Sequence, residues 1–154
     1  VTWEPAGELP GYVMSAGTVG GRPALALSDV GGDASIQLGQ ADGSWLPVDP
    51  GQAVGRDGAI VGSVAFGPLG WVAVVWPETP DGTVPAEQTL VVHSVDGTTM
   101  SEVPLADLVG PDQIGSVDAS VTADAVVVRV SQPDDGVEGT PPSPQRVVVG
   151  TPRG

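Results

Sequence analysis

The sequence predicts an all-β protein of the β-propeller type, with three four-stranded antiparallel blades, and two observations support this prediction. The chain of 154 residues contains 23 Gly and 16 Pro, a frequency that favours many short strands and leaves little room for long helices. A unit of about fifty residues also recurs three times, and four antiparallel strands per unit are typical of a propeller blade. A β-sandwich is the alternative fold, but it explains only the strand content and not the period.

Each unit begins with two strands joined by a tight turn. This pair is visible in "GYVMSAGTVGGRPALAL" (11–27), "IVGSVAFGPLGWVAVVW" (60–76) and "IGSVDASVTADAVVVRV" (114–130). Val is abundant in the second and third of these stretches, and its branched Cβ packs well on a pleated surface. We expect a single repeat domain over residues 1–154, with blade units at 11–50, 57–108 and 112–154, the last completed by 1–9.

The second half of each unit is a strand, an Asp-Gly turn and a further strand. It is clear in "SIQLGQADGSWLPVD" (35–49) and "LVVHSVDGTTMSEVPL" (90–105). In the third unit "QRVVVGTPRG" (145–154) supplies only the first of these strands. The segment "VTWEPAGEL" (1–9) has the pattern of the missing strand, because Arg153-Gly154 followed by Val1-Thr2-Trp3 aligns with 96–100. The sequence therefore predicts that the N-terminal strand completes the last blade.

The Asp-Gly turns are expected to be structural. An Asp side chain accepts hydrogen bonds from turn backbone N–H groups, and Gly adopts the positive φ that a tight hairpin needs. A large apolar residue after the turn then packs over it. The residues to which we assign this structural role are Asp42, Gly43, Trp45, Asp96, Gly97 and Trp3.

These turns resemble the Asp-box, the pattern Ser-x-Asp-x-Gly-x-Thr-Trp that recurs in sialidases and sialidase-like propellers. "VAFGPLGWVAVV" and "HSVDGTTM" are also similar to hairpins of secreted or lipid-anchored actinobacterial propeller proteins. Met100 replaces the box Trp, and the turn of the first unit is one residue shorter. The resemblance implies an extracellular or cell-surface bacterial protein, and it implies that the box lies away from the ligand face.

Composition narrows the possible partners. The chain has nineteen acidic and five basic side chains, which give a net charge of −14. A chain of this charge repels phosphate backbones, so nucleic-acid binding is not expected. Cysteine is absent, which excludes disulfides and thiolate metal sites. No apolar run is long enough to span a membrane. Because the chain begins at Val1 and carries no signal peptide, we expect a mature or excised sequence.

The loops between the second and third strands of each unit are the candidate binding surface. Function commonly lies on loops held by a rigid scaffold, and the two longer loops, 77–88 and 131–144, are acidic and Pro-rich. The candidate binding residues are Glu78, Asp81, Glu87, Asp134, Asp135 and Glu138, together with Arg129, which would point into a central channel or lie along its strand. No cofactor is expected, although "DDGVE" (134–138) offers carboxylates to Ca²⁺.

We therefore predict a non-catalytic binding or interaction module that engages a protein or glycan partner. Three blades would make too tight a ring, so two chains forming a homodimeric six-bladed ring, or a piece of a longer propeller, are expected. A sialidase-like glycoside hydrolase using Arg22, Arg129 and Tyr12 is one alternative, and a purely structural spacer domain is another. No residue is assigned as catalytic, and the lone His93 cannot build a zinc site by itself.

Overall fold

The computed structural model describes residues 9, 11–29, 34–80, 83–112, 114–133 and 145–151. Over these residues the fold is all-β, with strands in three antiparallel sheets. The first sheet contains β1 (Tyr12–Val19), β2 (Arg22–Ser28), β3 (Ala34–Gly39) and β4 (Trp45–Val48). The second contains β5 (Ala59–Gly67), β6 (Gly70–Pro77), β7 (Leu90–Ser94) and β8 (Ser101–Pro104). The third contains β9 (Ser116–Val121), β10 (Val126–Ser131) and β11 (Gln145–Gly150).

In each sheet the strands follow one another in chain order and pair with their sequence neighbours. This confirms the all-β class, with antiparallel sheets of four, four and three strands among the described residues. The third sheet has three strands among the described residues. The segment predicted to supply its fourth strand, including Trp3, lies outside the described residues apart from Leu9.

The hairpin turns follow from glycine placement. Val19 pairs with Arg22, so only Gly20 and Gly21 form the loop, and their φ angles are 56° and 76°. Two consecutive residues with positive φ define the turn type that matches the right-handed twist of the flanking strands, and glycine adopts this conformation without steric cost. The sequence "VGGR" therefore fixes the register of β1 on β2.

The three sheets meet at their first strands. The Ser15 hydroxyl donates a hydrogen bond to the Val64 carbonyl oxygen at 3.0 Å, and two residues further on Gly17 faces the Phe66 side chain. The Ser63 hydroxyl likewise accepts a hydrogen bond from the Ala119 backbone N–H at 2.9 Å. Because β1 and β5 advance together along these contacts, the two strands run in parallel.

The apolar core is divided into two layers, one on each side of the second sheet. The first lies between the first and second sheets, and Ile36, Leu38 and Trp71 are fully buried in it. The second lies between the second and third sheets and contains Val72 and Val128. The central strand β6 is therefore covered on both faces, which explains why "WVAVVW" is an uninterrupted apolar run.

Side-chain alternation along β6 separates its two tryptophans. Trp71 is buried in the first core layer, whereas Trp76 is partly buried against the second. Successive residues of a strand point to opposite faces of the sheet, so an odd spacing places the two indoles on opposite sides. Trp71 and Trp76 therefore face opposite sides of the second sheet.

Short helices link the sheets. Helix α1 (Pro50–Ala53) joins β4 to β5, and α2 (Leu105–Val109) joins β8 to β9. The Asp49 carboxylate accepts a hydrogen bond from the Gln52 backbone N–H at 3.0 Å and caps α1. Within the described residues, no helix is long and apolar enough to cross a membrane.

Candidate functional site

The turn at Asp96 is held together by its carboxylate. One oxygen accepts hydrogen bonds from the backbone N–H groups of Thr98 and Thr99 at 2.8 and 2.7 Å, and the other accepts one from the Thr99 hydroxyl at 2.7 Å. The Thr99 N–H and hydroxyl, with the Thr98 N–H, hold the pKa of the Asp96 carboxyl well below its usual range. Gly97 follows with a φ of 96°. In this geometry Asp96 stabilises the turn.

The turn at Asp42 uses the same chemistry with fewer donors. The Asp42 carboxylate accepts hydrogen bonds from the Ser44 hydroxyl at 2.6 Å and from the Ser44 backbone N–H at 3.0 Å. These two bonds lower the pKa of the Asp42 carboxyl from its ordinary value. Gly43 has a φ of 84°, and Trp45 starts β4 opposite Gly39. Both Asp-Gly turns are therefore held by hydrogen bonds from backbone N–H and hydroxyl groups to the Asp carboxylate.

Arg22 links the first sheet to the Asp96 turn. Its guanidinium donates a hydrogen bond to the Asp96 carbonyl oxygen at 2.7 Å. Tyr12 lies at the opposite end of the same hairpin, because it pairs with Ser28 whereas Arg22 pairs with Val19. Seven residues along a strand separate the two ends by roughly 20 Å. Tyr12 and Arg22 therefore do not form the pair that a glycosidase would require.

Arg129 lies on the third sheet, on the face that points away from the second. Its guanidinium forms an ion pair with Asp118 at 3.4 Å, and both side chains are more than half exposed. Val147, which pairs with Arg129, and Val149 are also exposed on this face. The three residues of the hydrolase hypothesis thus lie at separate places, and the structure does not gather them into a pocket.

The acidic loops are partly described. Glu78 and Glu87 are exposed on the connection between β6 and β7. The other predicted loop acids, Asp81, Asp134, Asp135 and Glu138, lie outside the described residues. Further acidic residues occupy other connections at this same edge of the sheets, which we call the acidic edge: they are Asp29, Asp49, Asp57, Asp107 and Asp112.

The described basic residues at the acidic edge are Arg56 and Arg146. The Arg146 guanidinium, on β11, donates a hydrogen bond to the Val109 carbonyl oxygen at the end of α2. It also forms an ion pair with Asp112 at 3.1 Å. Arg146 therefore ties the third sheet to the preceding connection. Sequence reasoning did not single it out, because its partners are far away along the chain.

An apolar groove of about 520 Å³ lies between the second and third sheets. Its wall is mostly valine: the second sheet contributes Val91, His93, Val95 and Val103, and the third contributes Val126, Val128, Val148 and Gly150. His93 Nε2 lies 2.8 Å from the Leu69 carbonyl oxygen. Since a carbonyl oxygen only accepts, this bond requires the proton on Nε2. The groove was not predicted, because it depends on the relative sizes of side chains in two sheets.

Among the described residues no cluster of three His, Asp or Glu side chains is arranged to hold a metal ion. The "DDGVE" stretch considered for Ca²⁺ lies outside them. Comparison of the chain with protein-family models, curated proteins and solved structures gave no match. The likeness to Asp-box propellers therefore stays a prediction from the sequence.

Proposed function

We propose that this chain is a non-catalytic binding module of the β-propeller type, whose acidic edge engages a cationic protein partner. The proposal has an architectural part and an electrostatic part. The extracellular or cell-surface bacterial location stays a prediction of the Asp-box resemblance.

The architectural part is supported by the way the sheets pack. Sheets of consecutive antiparallel strands pack face to face, and their first strands lie side by side and run in parallel from β1 to β5. Blades of a propeller are arranged around an axis in this way. Completing such a ring requires more than three sheets, supplied by a second copy of the chain or by a longer chain. Residues 1–9 are proposed as the fourth strand of a third sheet.

The electrostatic part is supported by the distribution of charge between the two edges of the sheets. The described connections at the acidic edge contain Asp29, Asp49, Asp57, Glu78, Glu87, Asp107 and Asp112. At the opposite edge, the described turns contain Asp42, Asp96 and Asp124, and the first two carboxylates are hydrogen-bonded within their own turns. A surface of one charge sign attracts partners of the opposite sign over about a Debye length. This asymmetry is the observation that carries the proposed function.

An arginine octapeptide provides a direct test. Its binding is measured by calorimetry at low and high salt, and screening should abolish it at high salt. The double variant Glu78→Gln/Glu87→Gln should weaken binding about three- to tenfold, because it removes two charges close to the bound peptide.

The matched control is Glu102→Gln/Asp124→Asn, which changes the net charge equally but away from the acidic edge. Glu102 lies on β8 and Asp124 on the β9–β10 turn, and both residues are exposed. The control should bind almost as the unmodified chain does. Equal weakening by both double variants would show that only the net charge matters and would overturn the proposal.

A further inference from the structure

We infer that the groove between the second and third sheets is the docking site for the N-terminal segment 1–9 of a second copy of this chain, with Trp3 filling it. The inference builds on the propeller-type architecture proposed above. It is independent of the acidic edge, so the octapeptide experiment and the experiment below can fail separately.

The groove exists because a large residue of one sheet is replaced by a small one in the next. Trp71 and Val126 occupy comparable positions, since each is the first residue with a side chain in the second strand of its sheet, opposite Phe66 and Val121 respectively. Both side chains face the preceding sheet. The indole of Trp71 fills the first core layer, whereas the smaller Val126 leaves space in the second. The next neighbour of Val126 in the sheet is Gly150, which has no side chain to fill that space.

Among the described residues no strand pairs with the outer edge of β11, and this edge lies beside the space. In the first two sheets the third strands, β3 and β7, are mostly buried and are covered by a fourth strand. The corresponding strand β11 is largely exposed. The carbonyl and N–H groups of an exposed edge are free to pair with an extended segment. The edge and the groove together fit a strand that carries one large apolar side chain.

Trp3 is the residue with the matching position in the repeat. Met100 immediately precedes the fourth strand of the second sheet and packs against the first core layer. The repeat alignment places Trp3 at the equivalent point for the third sheet. An indole there would face the second sheet and so enter the groove. An aromatic side chain buries on the order of 150–250 Å², which gives a substantial hydrophobic contribution to docking.

Chain length decides between the segment of the same chain and that of a second copy. Trp3 is nine residues before Tyr12, the first residue of β1, and nine residues span at most about 30 Å. In a straight line the groove is roughly 30 Å from Tyr12. It lies two sheets away from β1, three strands outward from the first strand of its sheet, and at the opposite end of the strands. That line passes through the second sheet, and a path around it is too long for the segment.

The connections in the chain give the same answer. The fourth strands β4 and β8 lead through α1 and α2 into the first strand of the next sheet. A fourth strand before β1 would therefore belong to the sheet that precedes the first sheet. In a head-to-tail pair of chains, that sheet is the third sheet of the other copy. Reciprocal exchange of the segments would close a ring of six sheets with two-fold symmetry.

Because the chain contains no cysteine, a single introduced cysteine can be labelled specifically. One preparation carries Ala123→Cys, on the exposed β9–β10 turn near the groove, and a nitroxide spin label on that cysteine. The other has its tryptophans replaced by 5-fluorotryptophan, and the Trp3 resonance is assigned by its loss in Trp3→Phe. After mixing, the label should broaden the Trp3 fluorine resonance and leave that of Trp71 sharp. An unbroadened Trp3 resonance in the mixture would overturn the inference, as would a Trp3 resonance that responds to D₂O as a solvent-exposed indole does.

Filling the groove provides a second measurement. Val126→Trp should displace the segment and convert a dimer into a monomer in light scattering, whereas Ala123→Trp should leave the dimer intact. Circular dichroism checks that the variants are folded. If Val126→Trp does not fold, Trp3→Ala, which leaves the groove lining unchanged, should also give a monomer. A monomeric unmodified chain, or a dimer that survives Trp3→Ala, would contradict the inference.

Discussion

The indole Nε1 of Trp71 donates a hydrogen bond to the Gly97 carbonyl oxygen at 3.2 Å, in a buried position. This bond connects the central strand of the second sheet to the turn that Asp96 stabilises. Trp71 is completely buried, so water cannot replace the donor if it is removed. Core packing and turn geometry are therefore coupled through this one side chain.

Trp71→Phe should lower the free energy of unfolding by about 2–4 kcal/mol. The substitution leaves the Gly97 carbonyl oxygen without a donor, at about 1–3 kcal/mol, and it removes packed atoms from the core. Denaturant titration measures the change. Trp76→Phe is the matched control, because Trp76 is only partly buried. An equal loss in both variants would refute a special role for the Trp71 bond.

Asp96→Asn should reduce stability at neutral pH, and its effect should shrink in acid. The Thr99 and Thr98 donors lower the pKa of the folded Asp96 carboxyl, so the unfolded chain binds its proton more readily. The stabilisation is present above the ordinary Asp pKa, about 4, and is lost as the pH falls towards the folded value. The measurement is the difference in thermal unfolding midpoint between Asp96→Asn and the unmodified chain, which should become smaller from pH 7 down to pH 2. Asp124→Asn, at an exposed turn, is the control, and a constant difference between Asp96→Asn and the unmodified chain would contradict the prediction.

Gly70→Ala should be strongly destabilising. Gly70 has a φ of 99°, and an added Cβ would collide with the Ser94 carbonyl oxygen. Gly58→Ala is the control that measures backbone strain without a steric collision, because Gly58 has a φ of 71° and no atom lies near the added Cβ. The Gly58 variant should lose about 1–2 kcal/mol from backbone strain alone, and the Gly70 variant should lose clearly more. Similar unfolding midpoints for the two variants would show that the sheet relaxes around the new methyl group.

In the monomeric Trp3→Ala background, where no second copy covers the third sheet, Arg129→Gln should change the free energy of unfolding by less than about 1 kcal/mol. The ion pair with Asp118 is solvent-exposed, and exposed pairs contribute little because water and salt screen them. Denaturant titration at low and high salt checks this, with Asp118→Asn as the reciprocal variant. A loss of several kcal/mol in this monomeric background would contradict the prediction, whereas a larger loss is expected in the dimer, because the six-sheet ring places the first sheet of the second copy over this face.

The sequence was sufficient to predict the strands and the Asp-Gly turns, because alternation and turn residues are local signals. It was not sufficient for the groove, which depends on Val126 standing where the previous sheet has Trp71. Helix α1 was also missed, although Asp49 before Pro50 is a recognisable start signal. The irregular register between Val61 and Val64 was missed as well, although Gly62 lies there and a glycine inside a strand pattern is a signal for a bulge.

For the candidate site, the sequence predicted acidic residues on the connections between strands. In the structure Glu78 and Glu87 are exposed on such a connection. Strand alternation also places the connections between units, with Asp107 and Asp112, at this same edge. The interaction of Arg146 with Asp112 and the end of α2 could not be predicted, because these residues lie far apart along the chain. Long-range pairings of this kind follow from how the sheets pack and not from any local pattern.

The two covered faces of the second sheet have a consequence for how the protein unfolds. Neither face can lose its neighbour without exposing a layer of valine and tryptophan to water, so the middle sheet is the most protected part of the molecule. Linear arrays of packed units gain cooperativity from such nearest-neighbour contacts, and they fray from their ends. Backbone amides of β6 should consequently exchange with solvent last.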